Sequence, residues 1–139
     1  MPLRLHTDEY DTGRVLPARF TYRRMDPYAI EVVFRPHSPR AKSWVFARDL
    51  LLDGLHRSTG EGDVIVWPRP GPSSSNCSTF IRLKTPQGTA LLSASQTDLE
   101  SYLEQTQQAV PSGAEHQHMS DALNNLEREL AALTSGAVG

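Results

Sequence analysis

The sequence has little of what most catalytic and membrane proteins show. Cys77 is the only cysteine among 139 residues, so an intrachain disulfide framework and a cysteine-based zinc site are excluded. No apolar run approaches the roughly 20 residues of a membrane-spanning helix, and membrane insertion is not expected. Met1 to Tyr10 carry His6, Asp8 and Glu9 and no apolar core. A secretory signal is therefore not predicted, and the cytoplasm is the expected compartment. The GxSxG, HExxH and Gly-Lys-Ser/Thr patterns are missing, which removes three common catalytic and phosphate-binding frames. A net charge of −2 excludes a polycation of the kind that coats nucleic acid.

What is present is unevenly distributed. Residues 14–57 hold nine cations against four acids, whereas residues 98–139 hold one arginine and seven acids. A length of 139 residues suits one domain, here 1–139, with fraying expected over about 135–139. Apolar residues recur mainly every second position up to about residue 95 and with helical spacing beyond it. The first pattern predicts strands at 2–7, 18–23, 30–35, 64–67, 77–84 and 89–93. A short helix is predicted over 47–55, after Trp44-Val45-Phe46. Residues 8–16 read as a polar loop, and Arg69–Asn76 as a mobile one. Thr97 and Glu100 have capping-box spacing and introduce a helix bearing Leu99, Tyr102, Leu103 and Thr106 on one face. A second helix from Ser120 carries Leu123, Leu126, Leu130 and Leu133, a stripe read as core or as burial within an oligomer. Short hairpin-type connections make the class α+β, with antiparallel β-sheets, a short central helix and two C-terminal helices.

Few side chains offer candidate chemistry. His116-x-His118 would share a face on a strand and could hold zinc with a third ligand, but the surrounding Ser, Gly, Gln and Glu favour a solvated loop. Alternation in 77–84 puts Cys77 with Thr79, Ile81 and Leu83, a core position rather than a nucleophile's. Gly60-x-Gly62 runs from a helix end into a strand, the reverse of a phosphate loop, and reads as a turn. Asp49 and Asp53, beside Arg48 and Arg57, read as an exposed charge cluster rather than an acid–base pair. No catalytic residue, metal site or cofactor site follows, and no enzyme is expected. Alternation instead gathers Arg19, Arg23, Arg35, Arg82 and Lys84 with Phe80 on one sheet face. Such a face attracts an acidic protein segment by steering, or a single-stranded nucleic acid.

Several segments together resemble one family. Asp26-Pro27-Tyr28-Ala29 precedes Glu31-Val32-Val33-Phe34. Trp44 to Leu51 reads WVFARDLL and leads to Gly54-Leu55. Gly60-Glu61-Gly62-Asp63-Val64 precedes Val66-Trp67-Pro68. Pro86-x-Gly88-x-Ala90-Leu91-Leu92 and Val110-Pro111-x-Gly113-x-Glu115-His116 follow in order. The series resembles the SsgA-like family of actinomycete sporulation and cell-division proteins, and departs from it in the Arg69–Ser75 stretch. The resemblance implies a non-enzymatic cytoplasmic protein acting at the septum. It also implies a Whirly-like fold assembled as a homotrimer, with FtsZ and an SsgA-like paralogue as partners. Partner contacts are expected on the helix and turn, at Arg48, Asp49, Asp53, Arg57 and Glu61, or on the basic sheet face.

Overall fold

The computed structural model describes residues 1–73 and 76–138, and of 135–138 the backbone alone. Ser74 and Ser75, within the loop expected to be mobile, lie outside the described residues, as does Gly139. Eight strands and three helices follow in order. They are β1 (Leu3–His6), β2 (Arg14–Leu16), β3 (Ala18–Arg23), β4 (Asp26–Phe34), β5 (Lys42–Ala47), α1 (Arg48–Gly54), β6 (Val64–Arg69), β7 (Ser78–Thr85), β8 (Gly88–Ser95), α2 (Gln96–Ala109) and α3 (Glu115–Val138). The α+β class with antiparallel sheets and a short central helix is as the sequence implies.

The strands form two sheets. A five-stranded sheet has the order β2-β1-β8-β7-β6, and a three-stranded sheet the order β3-β4-β5, every pairing antiparallel. The inner faces enclose one core. Leu3, Val66, Ile81, Leu83, Leu92 and Ala94 come from the larger sheet, Ile30, Val32 and Phe46 from the smaller, and Leu51, Leu99 and Leu103 from α1 and α2. Each fully buried Leu, Ile, Val or Phe side chain contributes about 1.5–3 kcal/mol of transfer free energy. Leu99, Leu103 and Thr106, at helical spacing, form the buried face of α2.

Several expectations are corrected by pairing that alternation cannot foresee. Residues 14–16, read as loop, are a strand because β1 offers Leu3, Arg4 and Leu5 as partners to Leu16, Val15 and Arg14. Strand β6 continues through Pro68 to Arg69; as an edge strand it needs no donor from the proline. The N-cap of α2 is Ser95, whose hydroxyl accepts from the Asp98 amide, rather than Thr97. Helix α3 starts at Glu115, not at Ser120. Cys77 precedes β7 and is only partly buried, its thiol near the Ser73 carbonyl oxygen at 3.7 Å, so it is not a core residue of that strand. Gly54 closes α1 against β6. A Cβ there would run into the Val66 side chain, so only glycine permits this approach.

Candidate functional site

The five strands of the larger sheet contain no Asp or Glu. With Leu3, Leu83, Leu92 and Val66 turned into the core, alternation sends the intervening side chains to the opposite face. That outer face carries Arg4 and His6 from β1, Trp67 and Arg69 from β6, and Phe80, Arg82 and Lys84 from β7. Phe80 is its centre, lying between Trp67 and Ser93 in the register. The His6 ring stacks on Phe80 at 5.0 Å between centroids, and Trp67 lies tilted at 5.7 Å. The Arg69 guanidinium stands 5.3 Å from the Phe80 centroid and 5.7 Å from that of Tyr10, within cation–π range of both rings.

Hydrogen bonds hold this cluster in place. His6 Nδ1 lies 2.9 Å from the Asp11 carbonyl oxygen and Nε2 lies 2.7 Å from Ser93 Oγ. A carbonyl only accepts, so in the neutral ring Nδ1 carries the proton and Nε2 accepts from the serine hydroxyl. Arg69 donates to the Glu9 carbonyl oxygen. The loop between β1 and β2 is fixed by Asp11, whose carboxylate accepts from the Thr7 and Gly13 amides and the Thr7 hydroxyl, each at 3.0 Å. The Thr7 and Gly13 backbone amides hold its pKa down at about 2. Between this loop and residues 69–72 opens a groove of about 650 Å³, with Arg4, His6, Tyr10, Arg69 and Phe80 along it and Glu9 at its rim. Arg82 and Lys84 extend the cationic face beyond the groove. Arg82 Nε is buried without a hydrogen-bond partner among the described residues.

The structure divides the cations that alternation had placed together. Arg82 and Lys84 lie on the five-stranded sheet, but Arg19 and Arg23 lie on β3 of the other sheet. There Arg23 pairs with Glu31 at 3.4 Å. Arg35 belongs to no strand: it follows β4 in the left-handed region at φ 52°. Phe80, expected on an open face, is 4% exposed because His6, Trp67 and Arg69 cover it. Asp49 and Glu61 are exposed, and Asp53 and Arg57 pair with each other at 3.5 Å on the surface. His116 and His118 sit in the first turn of α3, where a spacing of two puts them on different sides of the helix. Among the described residues no group of three His, Cys, Asp or Glu could hold a metal ion.

Arg48 is the largest correction. Expected on an exposed helix face, it is 1% exposed and joins three elements. Its guanidinium donates from one nitrogen to the Thr106 and Val110 carbonyl oxygens, at 3.1 and 2.7 Å, and from the other to Glu115 Oε1 at 2.8 Å. It also lies 5.2 Å from the Tyr22 ring centroid. The two carbonyls are at the C-terminal end of α2, where a cation is favoured; that of Thr106 also accepts from the Val110 amide at 2.9 Å. Glu115 is the first residue of α3, where an acid is favoured. Its other oxygen accepts from the Gly113 amide at 2.8 Å. Its own backbone amide and then the Arg48 guanidinium hold the carboxyl below the usual glutamate value. Arg48 is therefore an internal clamp and does not present itself to a partner.

Sequence reasoning missed Arg4, His6, Tyr10, Trp67 and Arg69 on the outer face. Alternation with Leu3 and Leu5 was signal enough for Arg4 and His6. Nothing local indicated that β1 would lie beside β8.

Residues 16–115 match the family model described as the Streptomyces sporulation and cell division protein SsgA. The sporulation-specific cell division protein SsgB of Streptomyces coelicolor is 45% identical over 116 residues, covering 84% of this chain and 80% of that protein. SsgB of Kineococcus radiotolerans is 38% identical over 133 residues, covering 96% and 76%. Among solved structures, one of SsgB, concerned with longitudinal cell division during sporulation of Streptomyces coelicolor, superposes with a TM-score of 0.77. It is 44% identical and covers 85% of this chain and 91% of that one. The SsgA-like sporulation-specific cell division protein of Thermobifida fusca gives the same TM-score at 33% identity, covering 91% and 90%.

Proposed function

The chain belongs to the SsgA family of sporulation and cell division proteins, and on that footing we propose that it is a non-enzymatic scaffold of septation that binds FtsZ and positions it at division sites. In this reading it works in the cytoplasm at the septum, as a homotrimer and beside an SsgA-like paralogue. A ring of identical subunits presents repeated copies of one surface to a polymer, and weak single contacts become tight through effective concentration.

The observation that carries the reading is the acid-free outer face of the five-stranded sheet. Arg4, Arg69, Arg82 and Lys84 surround a Trp67–Phe80–His6 aromatic centre. Such terrain fits an acidic segment with apolar side chains, and its charge steers encounter. Co-sedimentation with FtsZ polymers tests it. The wild-type protein is expected in the pellet, less so as salt rises. Arg4→Glu/Lys84→Glu, both exposed positions, should weaken pelleting roughly tenfold, the effect of about 1.4 kcal/mol. Arg19→Glu/Arg23→Glu on the other sheet should leave it unchanged. No pelleting at any protein ratio overturns the reading.

The combination of aromatic rings with cations favours a second reading, binding of single-stranded nucleic acid. Titration of labelled oligonucleotides at low and high salt separates the two. A steep salt slope together with quenching of Trp67 fluorescence supports nucleic acid.

A further inference from the structure

The core is not closed equally on all sides. Leu51 of α1 and Leu99 and Leu103 of α2 pack into it. Beside the β7–β8 turn no described helix residue meets the sheets, and a mostly apolar pocket of about 410 Å³ opens between them. Leu83 and Leu92 of the larger sheet, both buried, form its floor, and Phe34 and Trp44 of the smaller sheet face them.

The sequence makes this pocket in two ways. Ala90 lies on β8 two positions before the buried Leu92, and pairs with Leu83 in register, so alternation turns it inward. Its small side chain leaves empty the space that a larger apolar residue would fill. Lys42, at the start of β5, has the same parity as Trp44 and the buried Phe46, and pairs with Phe34 in register. It therefore stands on the inward side of the strand, at the exposed mouth of the pocket. Among the described residues it makes no ion pair, and no acid lines the pocket. The neighbouring rim is already committed: the Thr85 hydroxyl donates to the Gly88 carbonyl oxygen at 2.9 Å and accepts from the Gln87 amide at 3.2 Å.

An apolar cleft of about 300–1,000 Å³ with few polar groups is the usual form of a small-molecule site. A polar metabolite would leave its hydrogen-bonding groups unpaired against such a lining. A hydrocarbon chain leaves none, and the unpaired cation at the mouth complements an anionic head. A methylene takes up about the space of a water molecule, about 30 Å³, so the pocket takes one chain on the order of a dozen carbons.

We propose that this pocket binds a single-chain amphiphile, its hydrocarbon chain lying between the two sheets and its anionic head, a carboxylate or a phosphate, held by Lys42. The site is on the inner side of the larger sheet. It is thus separate from the outer face assigned above to a partner, and its occupancy does not depend on that assignment.

Dodecanoate and dodecyl phosphate, each below its micelle-forming concentration, are the probes, with dodecanol and dodecyltrimethylammonium as neutral and cationic controls. The chain has two tryptophans, so Trp67→Phe leaves Trp44 as the only reporter; circular dichroism checks the fold of each variant. Both anionic probes are expected to give a saturable blue shift of Trp44 emission, and the tighter of the two identifies the head. Dodecanol should bind about fivefold more weakly, and the cationic control more weakly still. Lys42→Glu, at an exposed position, should weaken the anionic probes by about fivefold or more and leave dodecanol unchanged. Ala90→Phe, which places a ring in the pocket, should abolish the shift, and the Lys42→Glu comparison stands alone if that variant does not fold. An inward lysine can instead serve only to blunt an edge strand, and β5 is one; Lys42→Glu then binds the anionic probes as its parent does, and the proposal falls. A pocket reserved for an apolar side chain of a partner or of a second copy gives no saturable shift with any probe, which overturns it as well. Equal binding of the cationic control, or full binding by a folded Ala90→Phe, has the same consequence.

Discussion

Replacing Arg48 by methionine should be among the most damaging single substitutions in the molecule. Methionine keeps much of the volume and the helix propensity, so the loss isolates the guanidinium. Three hydrogen bonds disappear, to the Thr106 and Val110 carbonyl oxygens and to Glu115. A carboxylate that is itself buried is left without its cation. Breaking one side of such a buried pair costs about 3–5 kcal/mol. At roughly 4 °C per kcal/mol for a chain of this length, the melting temperature should fall by roughly 12–20 °C. Urea and thermal unfolding followed by circular dichroism measure this directly. The companion variant Arg48→Met/Glu115→Leu should recover part of the loss, because no stranded charge remains. A double-mutant cycle should then return a coupling of about 1.5–3 kcal/mol. A loss below about 1 kcal/mol for the single variant, or strict additivity in the cycle, would refute the assignment of Arg48 as a clamp.

Three further outcomes follow from particular contacts. Glu115 has a folded pKa below its ordinary value of 4.5, so its ionised form is favoured by the fold. That contribution is complete above about pH 4.5 and is lost as pH falls through the lowered value. Acid titration of stability should show this loss in the wild-type protein and a flatter profile in Glu115→Gln; identical profiles would count against the ion pair. Gly54→Ala should destabilise by about 1–3 kcal/mol, because the new methyl group meets Val66, and chemical denaturation reads the shift. Arg35→Gly should leave stability unchanged or raise it by about 1 kcal/mol, since glycine adopts the φ of 52° without the penalty an L-residue bears; a clear loss would mean that the arginine side chain stabilises that turn.

Local periodicity carried the sequence reading wherever the determining neighbours were close in the chain. Phe20 and Tyr22 opposite Val32 and Ile30, the β7–β8 hairpin and the Leu99–Leu103 face of α2 were all legible, because each is set by residues within about 20 positions. The family resemblance was legible from short segments in order, and the match over residues 16–115 agrees with it. What could not be read was long-range pairing. The cationic residues were assigned to one face because alternation tells which side of a strand a residue occupies and not which sheet the strand joins. Arg48 was misplaced because its partner lies 67 positions away, and an arginine beside aspartates on a short helix looks solvated until that partner is known. The outer-face cluster escaped for the same reason, since His6 meets Ser93 across 87 positions.

The pairing of β1 with β8 has a consequence for how the chain is made. Strand β1 is made before the other seven strands, yet β8, one of its two neighbours in the large sheet, is the last of the eight. The three-stranded sheet consists of sequential neighbours and can form early from local hairpins, whereas the large sheet cannot close until β8, at Gly88–Ser95, has been made. Until then the Leu3 and Leu5 side of the leading segment stays without its cover, an interval in which nascent chains are vulnerable to misassembly. Disrupting β1, for example by Leu3→Asp, should therefore harm yield more than the four residues of that strand would suggest.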